Sequence, residues 1–253
     1  MVGGVKELIK RVPLVGPLAR RIYRHFRGDR EALQPFAGSE RYWEQRYVSG
    51  GDSGPGSYGK FALFKAEILN GFVAEHEVRS VIEFGCGDGN QLELAAYPAY
   101  LGLDVSDTAI ARCRERFRGD PTKTFQLAQD YDGRRAELAL SLDVIFHLVE
   151  DGVFERYMAT LFQAATRFVI VYSSNRDEPT DEASMHVRHR RFTTWIDAHA
   201  SDWSLKSHIP NRYPNLGDYR TGSFSDFYIY RRNDGPAPES GRPTMVGDPN
   251  GAG

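Results

Sequence analysis

Short apolar runs alternate with amphipathic segments along most of this chain, from residue 61 to residue 230. Short apolar runs are typical of buried strands, whereas apolar residues spaced three and four apart indicate helices. The pattern predicts strands at 79–84, 100–104, 123–127, 136–142, 167–172, 203–209 and 223–230, and helices at 61–75, 89–96, 106–117 and 151–166. This alternation predicts an α/β fold with a doubly wound, mostly parallel sheet of seven strands.

The two ends of the chain depart from this pattern. Residues 1–38 interleave basic and apolar side chains at helical spacing, with breaks at Pro13 and Pro17. They predict short amphipathic helices that act as a lid, dock on anionic lipid or a membrane-bound partner, or form a homodimer contact. Residues 39–232 are predicted to be the folded domain. Residues 233–253 are rich in glycine, proline and polar residues, which predicts a disordered tail.

Composition narrows the class of protein. The formal net charge is −2 over 253 residues, so no global field attracts the chain to nucleic acid. The two cysteines, Cys86 and Cys113, have neither a disulfide nor a zinc spacing, which favours a reducing cytoplasm. No apolar run approaches the roughly 20 residues of a membrane span, and the N-terminus does not read as a secretory signal.

A glycine-rich turn follows the first predicted strand, in the segment V-I-E-F-G-C-G-D-G at residues 81–89. Such a turn lets backbone approach a nucleotide, because no Cβ intrudes. A dinucleotide site requires G-x-G-x-x-G, and here the position of the third glycine is Asn90. Glu83, two residues before the first glycine, would repel a pyrophosphate but suits a ligand with a cationic, methionine-like end.

A second acidic residue, Asp104, ends the next predicted strand about 20 residues on, the distance at which a carboxylate takes ribose hydroxyls. With these motifs, residues of about 40–232 resemble the class I S-adenosylmethionine-dependent methyltransferases. The resemblance implies a Rossmann-like methyltransferase sheet that ends in an antiparallel hairpin. It also implies S-adenosylmethionine as cofactor, held by residues around the turn, namely Glu83, Gly85, Gly87, Asp104 and Val105.

The resemblance assigns further residues to the cofactor. Asp130 is expected at the adenine amino group and Tyr131 against the ring, although the same residues also suit an ordinary turn. Leu142, at the end of the fourth predicted strand, is expected in the pocket wall. Ser57 and Tyr58 follow a glycine-rich stretch and are expected near the methionine carboxylate, the alternative being a flexible linker.

Asp143 and His147 follow the fourth predicted strand, where ligands bind at the carboxyl ends of parallel strands. Their spacing places both on one face of a helical turn. The segment is similar to the S-L-E-V-L-E-H-V stretch of small-molecule O-methyltransferases, with Phe146 in place of the second glutamate. Three interpretations remain open: His147 is a general base that Asp143 orients, both residues bind Mg²⁺, or the pair is structural.

The segment at 208–214 mixes hydrogen-bonding and aromatic side chains at a predicted strand end. His208, Arg212 and Tyr213 are the candidate acceptor-binding residues, and a sugar suits such a mixture; a solvated loop is the alternative. This cluster, the glycine loop and the segment after the fourth strand resemble bacterial saccharide O-methyltransferases, including the mycobacterial ones of methylmannose polysaccharide. The resemblance implies methyl transfer to a hydroxyl of a saccharide. A quinone or phenol acceptor, or a non-catalytic cofactor-binding module, are the alternatives.

Overall fold

The computed structural model describes residues 36–178, 185–218 and 220–233. The described helices are α1 (Ser39–Val48), α2 (Gly59–Glu75), α3 (Asp107–Arg116), α4 (Asp151–Ala164) and α5 (Phe192–His199). The strands are β1 (Val81–Phe84), β2 (Tyr100–Asp104), β3 (Lys123–Leu127), β4 (Ala136–Leu142), β5 (Ala165–Ser173), β6 (Trp203–Ile209) and β7 (Asp226–Arg232). The helices predicted within residues 1–35 and the tail predicted after residue 233 lie outside the described residues.

The seven strands form one sheet in the order β3-β2-β1-β4-β5-β7-β6. The first five strands pair in parallel, and β7 pairs antiparallel with both β5 and β6. Every residue of β1 and β2 is buried, as expected for parallel strands that are covered on both faces. The predicted fold class is therefore confirmed, including the terminal antiparallel hairpin.

Two apolar cores lie on opposite faces of the sheet. Leu69 of α2 and Ile110 of α3 belong to one core, and Met158 of α4 and Ile196 of α5 belong to the other. Full burial of one such side chain contributes roughly 1.5–3 kcal/mol. Because side chains alternate along a strand, β1 presents Glu83 toward the α2–α3 face. A carboxyl group is thereby brought into the interior of the molecule.

The helix predicted at 89–96 is a single 3₁₀ turn, Gln91–Leu94. Ala95 is already extended, with φ −90° and ψ 137°. A proline at position 98 disfavours helical backbone in the residue before it, so the helix cannot continue to β2. The boundary between the fourth predicted helix and the strand after it was placed between residues 166 and 167. In the structure, α4 ends at Ala164 and β5 begins at the next residue.

Two helices, α1 and α5, were not predicted from the apolar pattern. The sequence of α1, S-E-R-Y-W-E-Q-R-Y-V, is polar and aromatic with no continuous apolar face. The sequence of α5 is only eight residues long and contains two threonines, which are weak helix formers. None of the helices in the described part of the chain has the length and apolarity to cross a membrane.

Candidate functional site

A cavity of about 410 Å³ opens at the carboxyl ends of β1, β2 and β4, within the usual size range of small-molecule sites. Phe84, Asp104 and Leu142, the last residues of these strands, all line it. In open parallel sheets ligands bind at this edge, where the strand order reverses. Val105, also predicted to bind the cofactor, lines the same wall.

The glycine loop closes one side of the cavity. Gly85 and Gly87 have φ values of 87° and 58°, in the left-handed region that favours glycine. A Cβ at Gly85 would lie 2.4 Å from Val144 Cγ2, and one at Gly87 would lie 2.3 Å from Ser53 Oγ. Both glycines are therefore required by backbone conformation and by close packing, and both line the cavity.

Asp104 is held by the backbone on both carboxylate oxygens. Gly87 N donates to Oδ2 at 2.9 Å and Ser106 N donates to Oδ1 at 3.0 Å. Burial nevertheless raises the pKa of Asp104 to about 6. These two bonds fix the carboxylate in the wall, and its remaining lone pairs can accept hydrogen bonds from ligand hydroxyls.

Glu83 is buried in the same wall, and its carboxylate accepts a 2.7 Å hydrogen bond from the Tyr100 hydroxyl. Burial raises the pKa of Glu83 to about 7, against the opposing effects of the Tyr100 bond and the charge of Lys65. A buried acid in this range ionises readily when a cation is placed beside it. The site can therefore match a positively charged ligand group.

The loop after β3 contributes Gln129 and Tyr131 to the lining. The Tyr131 ring lies edge-on to Phe84, with the ring centroids 5.5 Å apart. Asp130 differs from its predicted place, because its side chain is exposed and is not part of the described lining. The sequence pattern also missed Tyr157 of α4, which lines the cavity and donates to the Phe84 carbonyl at 2.9 Å.

Asp143 has a left-handed backbone, with φ 59°, a conformation that aspartate tolerates better than most residues. Its Oδ2 accepts a hydrogen bond from Lys65 Nζ at 3.0 Å, and its Oδ1 accepts one from Ser225 Oγ at 2.8 Å. The lysine ammonium thus takes the place beside the carboxylate that a cation would need. The described residues also contain no group of three or more histidine, cysteine or acidic residues that could hold a metal. The site does not fit the Mg²⁺ that the sequence allowed.

His147 lines the cavity but is not paired with Asp143. Its Nδ1 lies 3.0 Å from the carbonyl oxygen of His186, and a carbonyl can only accept, so Nδ1 carries the proton. Nε2 is consequently the unprotonated nitrogen. Burial lowers the pKa of His147 to about 3, so the ring is neutral at pH 7. Trp43 packs edge-on against it, with centroids 4.8 Å apart.

The loop after α1 is attached to the glycine loop through Asp88. Ser53 N and the Tyr58 hydroxyl donate to Asp88 Oδ2 at 3.1 and 2.7 Å, and the Tyr47 hydroxyl lies 2.9 Å from Ser53 Oγ. Ser57 lines the cavity, whereas Tyr58 is not in the described lining. Asp88 was not predicted, although an acidic residue between two glycines of the loop is visible in the sequence.

Helix α1 is attached to α3 through Glu44. Its carboxylate accepts hydrogen bonds from Ser106 Oγ at 2.5 Å and from Thr108 Oγ1 at 2.7 Å. Burial acts to raise the pKa of Glu44, but these hydrogen bonds outweigh that effect and lower the pKa. Arg112 adds a bond to the Tyr47 carbonyl at 2.6 Å. The segment from α1 to α2 is thereby fixed over the cavity.

The predicted acceptor-binding residues lie elsewhere. His208 Nε2 pairs with Asp226 at 3.1 Å, Arg212 makes two bonds of 2.8 and 2.7 Å to Glu67, and Tyr213 packs against α2. None of the three belongs to the described lining. The structure does not bring them to the cavity, whereas Glu40 and Trp43 of α1 line it.

No protein-family model and no curated protein matches this chain. Its structure is similar to the N-methyltransferase NodS from Bradyrhizobium japonicum WM9 in complex with S-adenosyl-L-homocysteine, with TM-score 0.61 and 14% identity over 78% of this chain and 100% of NodS. The methyltransferase domain of bacterial CtHen1-C matches with TM-score 0.52 and 19% identity over 67% of this chain and 97% of that one. Magnesium protoporphyrin IX methyltransferase (ChlM) from Synechocystis PCC 6803, with bound S-adenosylhomocysteine, matches with TM-score 0.51 and 16% identity over 68% of this chain and 83% of ChlM. The chain therefore has the fold of the class I S-adenosylmethionine-dependent methyltransferases.

Proposed function

We propose that this protein is an S-adenosylmethionine-dependent methyltransferase that methylates a hydroxyl of a small molecule, with a saccharide as the acceptor. The observation that carries the proposal is the pair of buried carboxyl groups, Glu83 and Asp104, which flank the glycine loop in one cavity. Two of the structural neighbours were crystallised with S-adenosylhomocysteine, which supports the same cofactor here. The proposed location is the cytoplasm, where the two free buried cysteines stay reduced.

The cofactor is proposed to lie across the carboxyl ends of the strands. Asp104 accepts the ribose hydroxyls, Glu83 faces the cationic methionine end, and Tyr131 packs against the adenine ring. Gln129 replaces Asp130 as the side chain proposed at the adenine edge, because Gln129 lines the cavity and Asp130 does not. Val105 and Leu142 supply apolar wall.

His147 is proposed as the proton acceptor for the substrate hydroxyl. When bound, S-adenosylmethionine supplies a methyl group that its sulfonium has already activated, so positioning and deprotonation remain for the protein. The unprotonated Nε2 of His147 is the atom that can accept the hydroxyl proton as the new bond forms. The carbonyl of His186, rather than Asp143, orients the ring.

Two side chains on α1 support a saccharide acceptor at this mouth. Trp43 lies beside His147 and lines the cavity, and an indole face packs well against the C–H groups of a sugar ring. Glu40 also lines the cavity and is exposed, so its carboxylate can accept hydrogen bonds from sugar hydroxyls. A sugar offers Glu40 several hydroxyl donors besides the one that is methylated, whereas a simple phenol offers none besides the hydroxyl that is methylated.

Calorimetry with S-adenosylhomocysteine tests the cofactor assignment. Asp104→Ala is expected to weaken binding by on the order of 1.5–3 kcal/mol, because two hydrogen bonds to a carboxylate are lost. Asp197→Ala, an exposed aspartate on α5, is the matched control and leaves the affinity unchanged. Absence of binding by the wild type, or equal affinity of the Asp104 variant, contradicts the assignment.

Methyl transfer to oligosaccharide, quinone and phenol pools tests the reaction. Activity is expected with the oligosaccharide pool and is expected to resist EDTA. His147→Ala is expected to keep the cofactor affinity and to lower kcat by roughly 10²–10⁴-fold, the usual contribution of a positioned base. His199→Ala, an exposed histidine on α5, serves as control. If the His147 variant turns over at the wild-type rate, His147 has a structural role only.

A further inference from the structure

Lys65 of α2 is a buried cation in the cavity wall, with 1% of its surface exposed. Two of the described lining residues carry a permanent positive charge, Lys65 and Arg156. Arg156 is exposed on α4, at the opposite face of the sheet. We propose that Lys65 binds the carboxylate of the cofactor's methionine moiety and thereby selects ligands that carry the whole amino acid. This inference rests on the proposed function.

The hydrogen bonds of Lys65 leave donors for a ligand. An ammonium group has three N–H donors. One of them is directed to Asp143 Oδ2 at 3.0 Å, and the Tyr172 ring lies 5.3 Å from Nζ. The described residues provide Nζ with no second hydrogen-bond acceptor. Because Lys65 lines the cavity, its remaining donors are available to an incoming oxygen.

The charges of the cavity explain why this donor matters. Five acidic residues line it, Glu40, Glu83, Asp88, Asp104 and Asp143. They attract the cationic part of the cofactor and repel its carboxylate. An anion that leaves water for such a site is costly unless it is paired and hydrogen-bonded. Lys65 is the buried group that provides both, and a charge-assisted bond from it also fixes the methionine end.

Asp143 acts here as a positioning residue. It is tied to Ser225 Oγ at 2.8 Å on its other oxygen, and its own amide donates to the Tyr172 carbonyl at 2.8 Å. The carboxylate is therefore fixed between β4 and the residue that precedes β7. Because Lys65 bonds to this fixed carboxylate, its ammonium is held in one place before the ligand arrives.

Calorimetry tests the proposal with two ligands. These are S-adenosylhomocysteine and 5′-methylthioadenosine, of which the second lacks the amino acid. The wild type is expected to prefer S-adenosylhomocysteine. Lys65→Met is expected to weaken S-adenosylhomocysteine binding by roughly 10- to 100-fold and to leave 5′-methylthioadenosine binding within about 3-fold, as for loss of one charge-assisted bond. Lys65→Arg keeps the positive charge and is expected to retain part of the preference. Lys60→Met, an exposed lysine of the same helix, is the matched control.

Lys65→Met leaves the Asp143 carboxylate without its ion-pair partner, and this could destabilise the fold. The double variant Lys65→Met/Asp143→Asn removes both charges and so controls for that effect. It is expected to lose the ligand preference in the same way. Equal losses for both ligands, or an undiminished preference in either variant, overturn the inference while the proposed function stands. A wild type that binds 5′-methylthioadenosine as tightly as S-adenosylhomocysteine overturns it too. A wild type that binds neither ligand overturns the inference and the proposed function together.

Discussion

Single residues in the cavity hold carboxyl groups that are partly protonated near neutral pH. Burial raises the pKa of Glu83 to about 7 and that of Asp104 to about 6, because ionised carboxylates are poorly solvated in the wall. A cationic group placed beside Glu83 favours its ionised form. We therefore expect binding of a cationic ligand to be coupled to the loss of a proton from the protein.

We predict that the protein releases protons when S-adenosylmethionine binds at pH 6, and that the affinity rises between pH 5.5 and 8. The sign follows because the raised pKa leaves Glu83 protonated in the free protein, whereas the bound protein needs it ionised. Calorimetry in buffers of different ionisation enthalpy measures the proton number. Glu83→Gln is expected to release fewer protons and to bind more weakly. An unchanged proton number in this variant would contradict the assignment.

The candidate site residues that could be predicted from the sequence are those that lie close to one another along the chain. The glycine loop follows β1 and Asp104 ends β2, the next strand along the chain, so their spacing alone indicates the site. Lys65 and Asp143 meet across 78 positions, and no local pattern announces such a contact. His147 was found by its position after β4, but the carbonyl that orients it belongs to His186, 39 residues away.

Among the elements, strands were predicted better than the helices that carry few apolar residues. The run at 136–142 matches β4 because most of its residues are apolar and buried, with Glu137 and Ser141 as the polar members. Helix α1 gave no such signal because contacts with α3, above all through Glu44, fix it in place. The cluster at 208–214 does not line the cavity for a topological reason. It begins at the end of β6, which lies three strand positions, about 14 Å, from β4.

We predict that Glu44→Ala loosens the segment that covers the cavity. The carboxylate satisfies the Ser106 and Thr108 hydroxyls at the start of α3, and loss of such a terminal contact costs on the order of 1 kcal/mol. Amide hydrogen exchange is expected to become faster within residues 39–58, and urea unfolding is expected to show the lower stability. Gln45→Ala, one residue further along the same helix and exposed, is the control. Equal exchange rates in the two variants would show that Glu44 does not hold α1.

At the scale of the whole molecule, β7 connects the two parts of the sheet. Its residues pair with β5 from Phe168 to Ser173 and with β6 from Trp203 to Ile209. Without it, β6 has no hydrogen-bonded neighbour in the sheet. The strand also places Ser225, which precedes it, against Asp143 in the cavity wall.

We predict opposite results for two truncations. A chain that ends at Asn233 is expected to keep its melting temperature and its affinity for S-adenosylhomocysteine, because β7 is complete at Arg232. A chain that ends at Ser225 lacks β7 and is expected to lose cooperative unfolding, since β5 and β6 lose all their pairs with it. Scanning calorimetry and circular dichroism measure both. Cooperative melting of the shorter chain would show that β7 is dispensable for the fold.

The place of β7 between β5 and β6 also sets an order of events during translation. The strands whose ends form the cavity, β1, β2 and β4, are complete once residue 142 has been synthesised, whereas β7 is synthesised last of the seven. The edge of β5 therefore stays open on the nascent chain after the strands that form the cavity have been synthesised. Open edges pair readily with other chains. A ribosome that stalls in the loop before β7 leaves a chain with a nearly finished pocket and an edge that promotes aggregation.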